Sequence, residues 1–546
     1  MVLGWLAAIA CTYAAAQNSL GDAGTGQFRI AGTVTNKLGG ATLARVRVTI
    51  RDVKDSKNVL SQVTGDDGRF EFRIKAGKYA LHGAKRGFIS SDYDQHEQFS
   101  SAIVTAAGLD TESIVLKLAP SAVLSGKILD ESGDPVRLAW VTLWREDHTT
   151  GVSRITRFRE DSADDQGSYE FLPLDAGTYF LSVTATPWYA VHPATTSPEG
   201  VSVAPAVVDR SLDVVYPTTY YAGATESEDA TPIPLRGGDR LEVDLHLAPV
   251  PALHVIFRSQ QDGSQQDGGN AYPMPVLQKR VFDSFDRPRA QENAHIISPG
   301  VYELTTAPGK YAMRLWGAPQ NNRVSDIDIT QDHQEVETSS GEALSNISAS
   351  LHILGEETIP RDLFVVMREG QRRGGTGGQV DAKGDVQIPN VSPGTYELWA
   401  GSQNNDYAVV KITSDGQEIS GHTLKVPAGA SMSLSLTLAA GSGRVEGFAK
   451  RDGKAVPGAM VVLVPKHPEA NRELFRRDQS DLDGSFVLQN VIPGTYTVIA
   501  IANGWDLDWS RTGVIAKYAG HGRTVVVAGP GNRAIQLAEA VEVQGK

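Results

Sequence analysis

One phrase recurs five times along this chain and constrains everything else it can fold into. A turn glycine leads into an extended apolar stretch that closes at Gly77-Lys78-Tyr79, Gly177-Thr178-Tyr179, Gly309-Lys310-Tyr311, Gly394-Thr395-Tyr396 and Gly494-Thr495-Tyr496. The turn glycines Gly68, Gly167, Gly300, Gly384 and Gly484 stand nine or ten residues earlier, each followed two residues on by Phe70, Tyr169, Tyr302, Val386 or Phe486. A two-stranded hairpin is at best marginal in water, so every copy needs further strands to cover its apolar face. Five copies of one hairpin therefore predict five copies of one small domain.

The chemistry of the phrase is that of turns. Glycine at the first position permits positive φ, and the aspartates before it, Asp66-Asp67, Asp164-Asp165 and Asp481-Leu482-Asp483, can accept hydrogen bonds from turn amides. The same carboxylates invite a calcium reading, but the further ligands and bidentate Glu of a calcium loop are missing, which favours turn chemistry. At the later reversal Pro-Gly suggests a type II turn. The tyrosine that follows is expected to pack in the sandwich with its hydroxyl satisfied near the edge.

Around each hairpin the apolar residues alternate. In the first unit Val46, Val48 and Ile50 alternate with Arg47 and Thr49, and Ile114, Leu116 and Leu118 close the unit. Period-two alternation marks strands with one buried face, and about seven such strands per unit predict antiparallel seven-stranded β-sandwiches in tandem. The boundaries expected are 1–16 for a leader, then 17–119, 120–249, 250–341, 342–440 and 441–546 for the five units. The second carries an aromatic-rich insertion, and the third lacks the Asp-rich turn. Trp140 and Trp144 share a parity on one strand and are expected in the core.

The phrase D-x-x-G-x-F-x-F followed by P-G-x-Y, with an opening G-x-V and a P-x-A-x-V segment, resembles the carboxypeptidase regulatory-like domain. The fifth unit shows it as Val445-Glu446-Gly447, Val456-Pro457-Gly458-Ala459-Met460-Val461, residues 481–486 and Pro493-Gly494-Thr495-Tyr496. The resemblance implies a transthyretin-like (prealbumin-like) sandwich, related to collagen-adhesin B-type and starch-binding-like modules, and brings no catalytic residues. Tandem modules of this kind behind a leader resemble exported bacterial proteins.

Composition narrows the setting. A chain of 546 residues exceeds what one hydrophobic core supports, since domains run to roughly 100 to 150 residues. A net charge of −13 without a long Lys/Arg cluster excludes nucleic acid as a natural partner. The first sixteen residues are uncharged, contain the apolar run Trp5-Leu6-Ala7-Ala8-Ile9-Ala10 and end in Ala14-Ala15-Ala16, which reads as a secretory signal peptide cut after Ala16. Cys11, the only cysteine, falls inside it, and Ala8-Ile9-Ala10 match a lipidation motif poorly. The mature chain is expected to be exported, soluble and without a transmembrane segment or disulfide.

Catalytic patterns are missing. No histidine has Glu three residues on or a second His four residues on, so a zinc peptidase site is not expected, and there is no Gly-x-Ser-x-Gly elbow. Nor can a Lys/Asn/acid triplet for an isopeptide bond be aligned across the units. We expect no enzyme activity, no cofactor and no metal. The candidate binding residues are aromatic: Trp188, Tyr189, Tyr216, Tyr220 and Tyr221 in the insertion, and Trp505 and Trp509 in the fifth unit. Such rings stack on sugars or anchor protein partners, or else fill the joints between units.

These features predict a non-catalytic binding or spacer protein of the bacterial cell envelope, its partner an envelope protein or polysaccharide. A carbohydrate-binding array and an accessory module of an envelope receptor or transport system are the alternatives. Short junctions such as Leu118-Ala119-Pro120 and Leu247-Ala248-Pro249 predict a semi-rigid rod.

Overall fold

The computed structural model describes residues 28–546 except 107, 193–208, 259–273, 283, 287–294, 317–323, 338–342, 357, 370–375, 403–405, 415, 420–422, 442, 470 and 529–533. The expected leader and Cys11 lie outside the described residues. The architecture is all-β, in tandem sandwiches, with Thr512–Ala519 the one α-helix among the described residues. No described helix is long and apolar enough to cross a membrane.

In the first unit Phe28–Asn36 lies between Arg69–Ile74, antiparallel, and Ile114–Leu118, parallel. The second sheet runs Val59–Val63, Arg47–Asp52, Gly77–Ala84, Ser91–Asp92. Alternation turns Ile30, Val34, Phe70 and Phe72 of one sheet toward Val48, Ile50, Tyr79 and Leu81 of the other, and these share one core. The second and third units also form two principal sheets, whereas in the fourth and fifth nine strands join one hydrogen-bonded order.

The sandwiches are not purely antiparallel. The opening and closing strands of each unit pair in parallel, as in Ala122–Leu129 with Arg240–Glu242, and Ser345–Ile353 with Ser431–Ala440. This pairing explains the glycine of the opening G-x-V. A Cβ on Gly32 would stand 1.9 Å from the Ile114 carbonyl oxygen, and one on Gly126 1.9 Å from that of Val243.

The repeated hairpin is built largely as its residues suggest. All five turn glycines have positive φ, between 71° and 91°. Asp164 and Asp381 each accept two turn amides on Oδ1, at 2.8–2.9 Å. Every closing tyrosine is buried and donates its hydroxyl to the carbonyl four residues back: Tyr79 to Lys75, Tyr179 to Asp175, Tyr311 to Ala307, Tyr396 to Ser392 and Tyr496 to Ile492, at 2.7–3.1 Å. The second reversal differs from a type II turn. Of its five glycines only Gly309 has positive φ, and the reason for glycine at Gly77 and Gly494 is the tyrosine ring above, which a Cβ would meet at 3.1 and 3.2 Å.

The expected rod does not form. The fifth unit folds back on the first and second, so residues 355 to 380 apart in sequence are hydrogen-bonded. The reason lies in strands that are apolar on both faces. Met460–Pro465 is buried at all six positions, with Val461 and Leu463 inside the sandwich and Met460, Val462 and Val464 on its outer face. A sheet with an apolar outer face must be covered, and short junctions do not prevent it.

Candidate functional site

The two aromatic segments singled out in the sequence have different fates. In the fifth unit the stretch after Gly494–Ile501 lies over the apolar outer face, where Trp505 and Trp509 join Met460, Val462, Ile499, Ile501, Ile515 and Tyr518 in one cluster with Phe99 of the first unit against it. Each tryptophan is only 8% exposed. Trp505 stacks on His96 at 5.1 Å with planes 6° apart and donates Nε1 to the Gly458 carbonyl at 3.2 Å. Their faces are spent on this joint and are not free to stack on a ligand.

Arg477 is the centre of that joint. Its side chain, 4% exposed, makes a bidentate pair with Glu97 at 2.7 and 3.2 Å, donates to the Thr149 carbonyl of the second unit at 3.1 Å, and lies 4.3 Å from the Trp509 ring centre. A guanidinium can do all of this together because its donors lie in the plane and its faces stack. The docking loop of the first unit is held in unusual backbone, with Asp94 and Glu97 both near φ 50°. Removing either member of such a buried pair would leave the other charge uncompensated, so the pair holds the docked arrangement in place.

One copy of the repeated turn has been diverted to the same joint. Asp481 occupies the position of Asp164 and Asp381, but its Oδ1 accepts the amide of Ala102 in the first unit at 2.6 Å and its Oδ2 pairs with Lys78. Ser101 Oγ donates to the Ser480 carbonyl at 2.9 Å, and the Leu482 amide to the Ala102 carbonyl at 3.1 Å. Burial raises the pKa of Asp481 against the opposing pull of Lys78, and burial pushes its neighbour Asp478 up to about 6.

In the second unit, Tyr220 is fully buried with Trp144, and Phe282 of the third unit packs against both, its ring centre 5.3 Å from Trp144 and 5.8 Å from Tyr220. Trp144 is thus buried against a neighbouring unit, on the opposite face from the core residues Val141 and Leu143. Tyr216 belongs to the sandwich core, and Tyr221 packs partly buried against it. Tyr220 and Tyr216, like the fifth-unit tryptophans, are removed from the accessible binding residues by burial.

What remains on the surface is Trp188, 86% exposed and edge-on to Tyr189 at 5.8 Å. Glu131 holds Tyr189: its carboxylate accepts the hydroxyl of Tyr189 on one oxygen and that of Tyr216 on the other, the latter at 3.1 Å. Burial and the carboxylate together push the Tyr189 hydroxyl up to about 12. The structure therefore brings Trp188, Tyr189 and Tyr216 together and leaves Trp505 and Trp509 apart from them, in the other joint. Sequence reading missed Glu131, Arg477 and Glu97. The available signal was the unbroken apolar run Met460-Val461-Val462-Leu463-Val464, which cannot be a strand with one wet face.

Comparison with known proteins returns solved structures of low similarity. No family model matches the chain. No curated protein matches it. Among solved structures, the Bacillus anthracis TIE protein is 11% identical, with 76% of this chain and 74% of that one covered and a TM-score of 0.18. A streptococcal ancillary pilin is 11% identical over 57% of this chain and 98% of its own, TM-score 0.20. The minor pilin GBS52 of Streptococcus agalactiae is 11% identical over 41% of this chain and 97% of its own, TM-score 0.21. Superpositions this loose carry no argument about function, and the fold rests on the sheets themselves.

Proposed function

We propose that the chain is an exported, non-catalytic binding protein of the bacterial cell envelope, assembled from five carboxypeptidase regulatory-like units with boundaries at 17–119, 120–249, 250–341, 342–440 and 441–546. The leader-like first sixteen residues support export. The observation that carries binding is Trp188, a large ring left in water beside a tyrosine whose hydroxyl is already held. The Trp188 ring, with Tyr189 edge-on beside it, offers one flat apolar face of low conformational cost, suited to stacking on a pyranose of an envelope polysaccharide. The folding back of the fifth unit favours binding over spacing, because it shortens the array that a spacer would extend.

The test is polysaccharide pull-down and glycan-array binding of the mature protein beside Trp188→Ala. Retention of envelope polysaccharide that is lost in the variant supports the proposal. Undiminished retention by Trp188→Ala, or none by the parent protein, overturns it.

A further inference from the structure

A second cluster of chemistry-bearing side chains lies at the joint between the second and third units, away from the Trp188 platform. His192 and Asp213 belong to the insertion of the second unit, while His254 lies on Leu253–Arg258, the first long strand of the third. Two main-chain links hold the sides in register: Val214–Val215 pairs with Val250–Pro251, and the Ala252 amide donates to the Asp213 carbonyl at 2.9 Å. His192 is tied on its side by the bond from the Val191 amide to the Leu212 carbonyl, at 2.8 Å.

The cluster has the arrangement of a coordination shell. His192 Nδ1 lies 2.9 Å from Asp213 Oδ1, and His254 Nε2 lies 3.6 Å from the same oxygen. The three donor atoms all fall within 4.8 Å of one another. A tetrahedral ion with bonds of about 2.0 Å requires donors about 3.3 Å apart, so small side-chain rotations close the shell. The histidine side chains are only 8% and 4% exposed.

His254 supplies the independent indication. Asp332 Oδ1 accepts both its main-chain amide, at 2.9 Å, and its Nδ1, at 3.2 Å, which places the ring proton on Nδ1. In the neutral ring Nε2 then carries a lone pair; it is buried and has no hydrogen-bond partner, yet it points toward a carboxylate oxygen. A buried acceptor facing an anion is unfavourable unless a proton or a metal ion stands between them. A carboxylate holding the far nitrogen of an imidazole whose near nitrogen is free is the outer-shell arrangement of metal-binding histidines.

We propose that His192, Asp213 and His254 bind one divalent transition ion of the zinc class, with Asp332 as the positioning residue for His254, and that the ion ties the second unit to the third. Two imidazoles and one carboxylate suit zinc and disfavour calcium and magnesium, which take oxygen ligands. Three protein donors leave a fourth position for water or an exchangeable ligand. The site is independent of the sugar-binding reading.

The test uses tag-free mature protein, stripped with chelator and titrated with Zn2+ by calorimetry, and with Co2+ followed by its visible absorption. One equivalent of Zn2+, an intense tetrahedral Co2+ spectrum and a metal-dependent rise in Tm are expected. His254→Gln and Asp213→Asn should abolish all three, and Asp332→Asn should weaken zinc about 10- to 100-fold. His192→Gln, at the edge of the joint, serves where His254→Gln does not fold, and should also lose the site. His521→Gln is the surface control and should retain it. No stoichiometric binding, meaning a cluster held by protons alone, or binding undiminished in folded His192→Gln and Asp213→Asn, overturns the proposal.

Discussion

The insertion of the second unit and the aromatic segment of the fifth are alike in carrying tryptophan after the same strand and opposite in use. Each follows the strand that begins with the Gly-Thr-Tyr phrase and each carries aromatic residues, Trp188 and Tyr189 among Pro, Thr and Ala in the second, Trp505 and Trp509 among Gly and Asp in the fifth. In the fifth, the strand beneath is apolar on both faces, and the tryptophans close over it together with a loop from the first unit. In the second, the outer face is covered by Phe282 of the third unit with Tyr220, and Trp188 has nothing left to cover. What decides whether an aromatic side chain is structural is the face beneath it.

The largest expected effect breaks this comparison from the fifth-unit side. Trp505→Ala removes a ring stacked on His96 and packed against Phe99, and should cost about 3–5 kcal/mol, read as a fall in the urea midpoint of the transition that includes the fifth unit. A midpoint that does not move would mean that the joint is not formed in solution.

A smaller loss is expected at Gly458, where φ is 73° and a Cβ would come 2.0 Å from Asp94 Oδ2. Gly458→Ala should cost about 1–2 kcal/mol from the left-handed backbone alone, and should also displace the docking loop of the first unit. Faster hydrogen exchange at the Leu482 amide would report that displacement.

The fifth unit should also respond to pH. The pKa of Asp478 is raised, chiefly by burial, to about 6, so the folded state holds a proton that the unfolded state releases. The stability this group contributes is complete below the unfolded carboxylate value near 4 and is lost as pH rises through about 6. Asp478→Asn should flatten that part of the profile, measured as Tm between pH 4 and 7, while its side-chain oxygen still accepts the Val487 amide.

The smallest expected effect on stability is at Trp188. Trp188→Ala should leave the unfolding transition within about 0.5 kcal/mol of the parent, as for other exposed sites, while removing polysaccharide retention. A large destabilisation there would place Trp188 with Trp505 and remove the contrast.

Much of each sandwich was legible because its signals are local. Alternation at Val46, Val48 and Ile50 reports which face is buried, and the tyrosine of the phrase bonds only four residues back. The candidate site was legible in part: Trp188 and Tyr189 stood out by type, but nothing in the neighbourhood of Glu131 marks it as the carboxylate that holds Tyr189 and Tyr216. Histidine spacing gave no metal signal because His192, Asp213 and His254 are drawn from separate segments, and short-range spacing detects only ligands on one turn or helix. Asp481 misled for a related reason. Its sequence is that of a turn aspartate, and the turn does form, but its carboxylate is used 379 residues away, at Ala102.

The sequence by itself determined the repeating unit: its turns, its alternating strands and its buried tyrosine, all of which depend on contacts made within one hairpin or its immediate partners. Only the tertiary structure decided how the units meet, which aromatic rings are consumed in doing so, and that the chain folds back where its short junctions predicted a rod. The physical reason is that an outer apolar face requires a cover but does not specify which one. That choice falls to shape and to buried pairs such as Arg477 with Glu97, whose partners lie hundreds of residues apart.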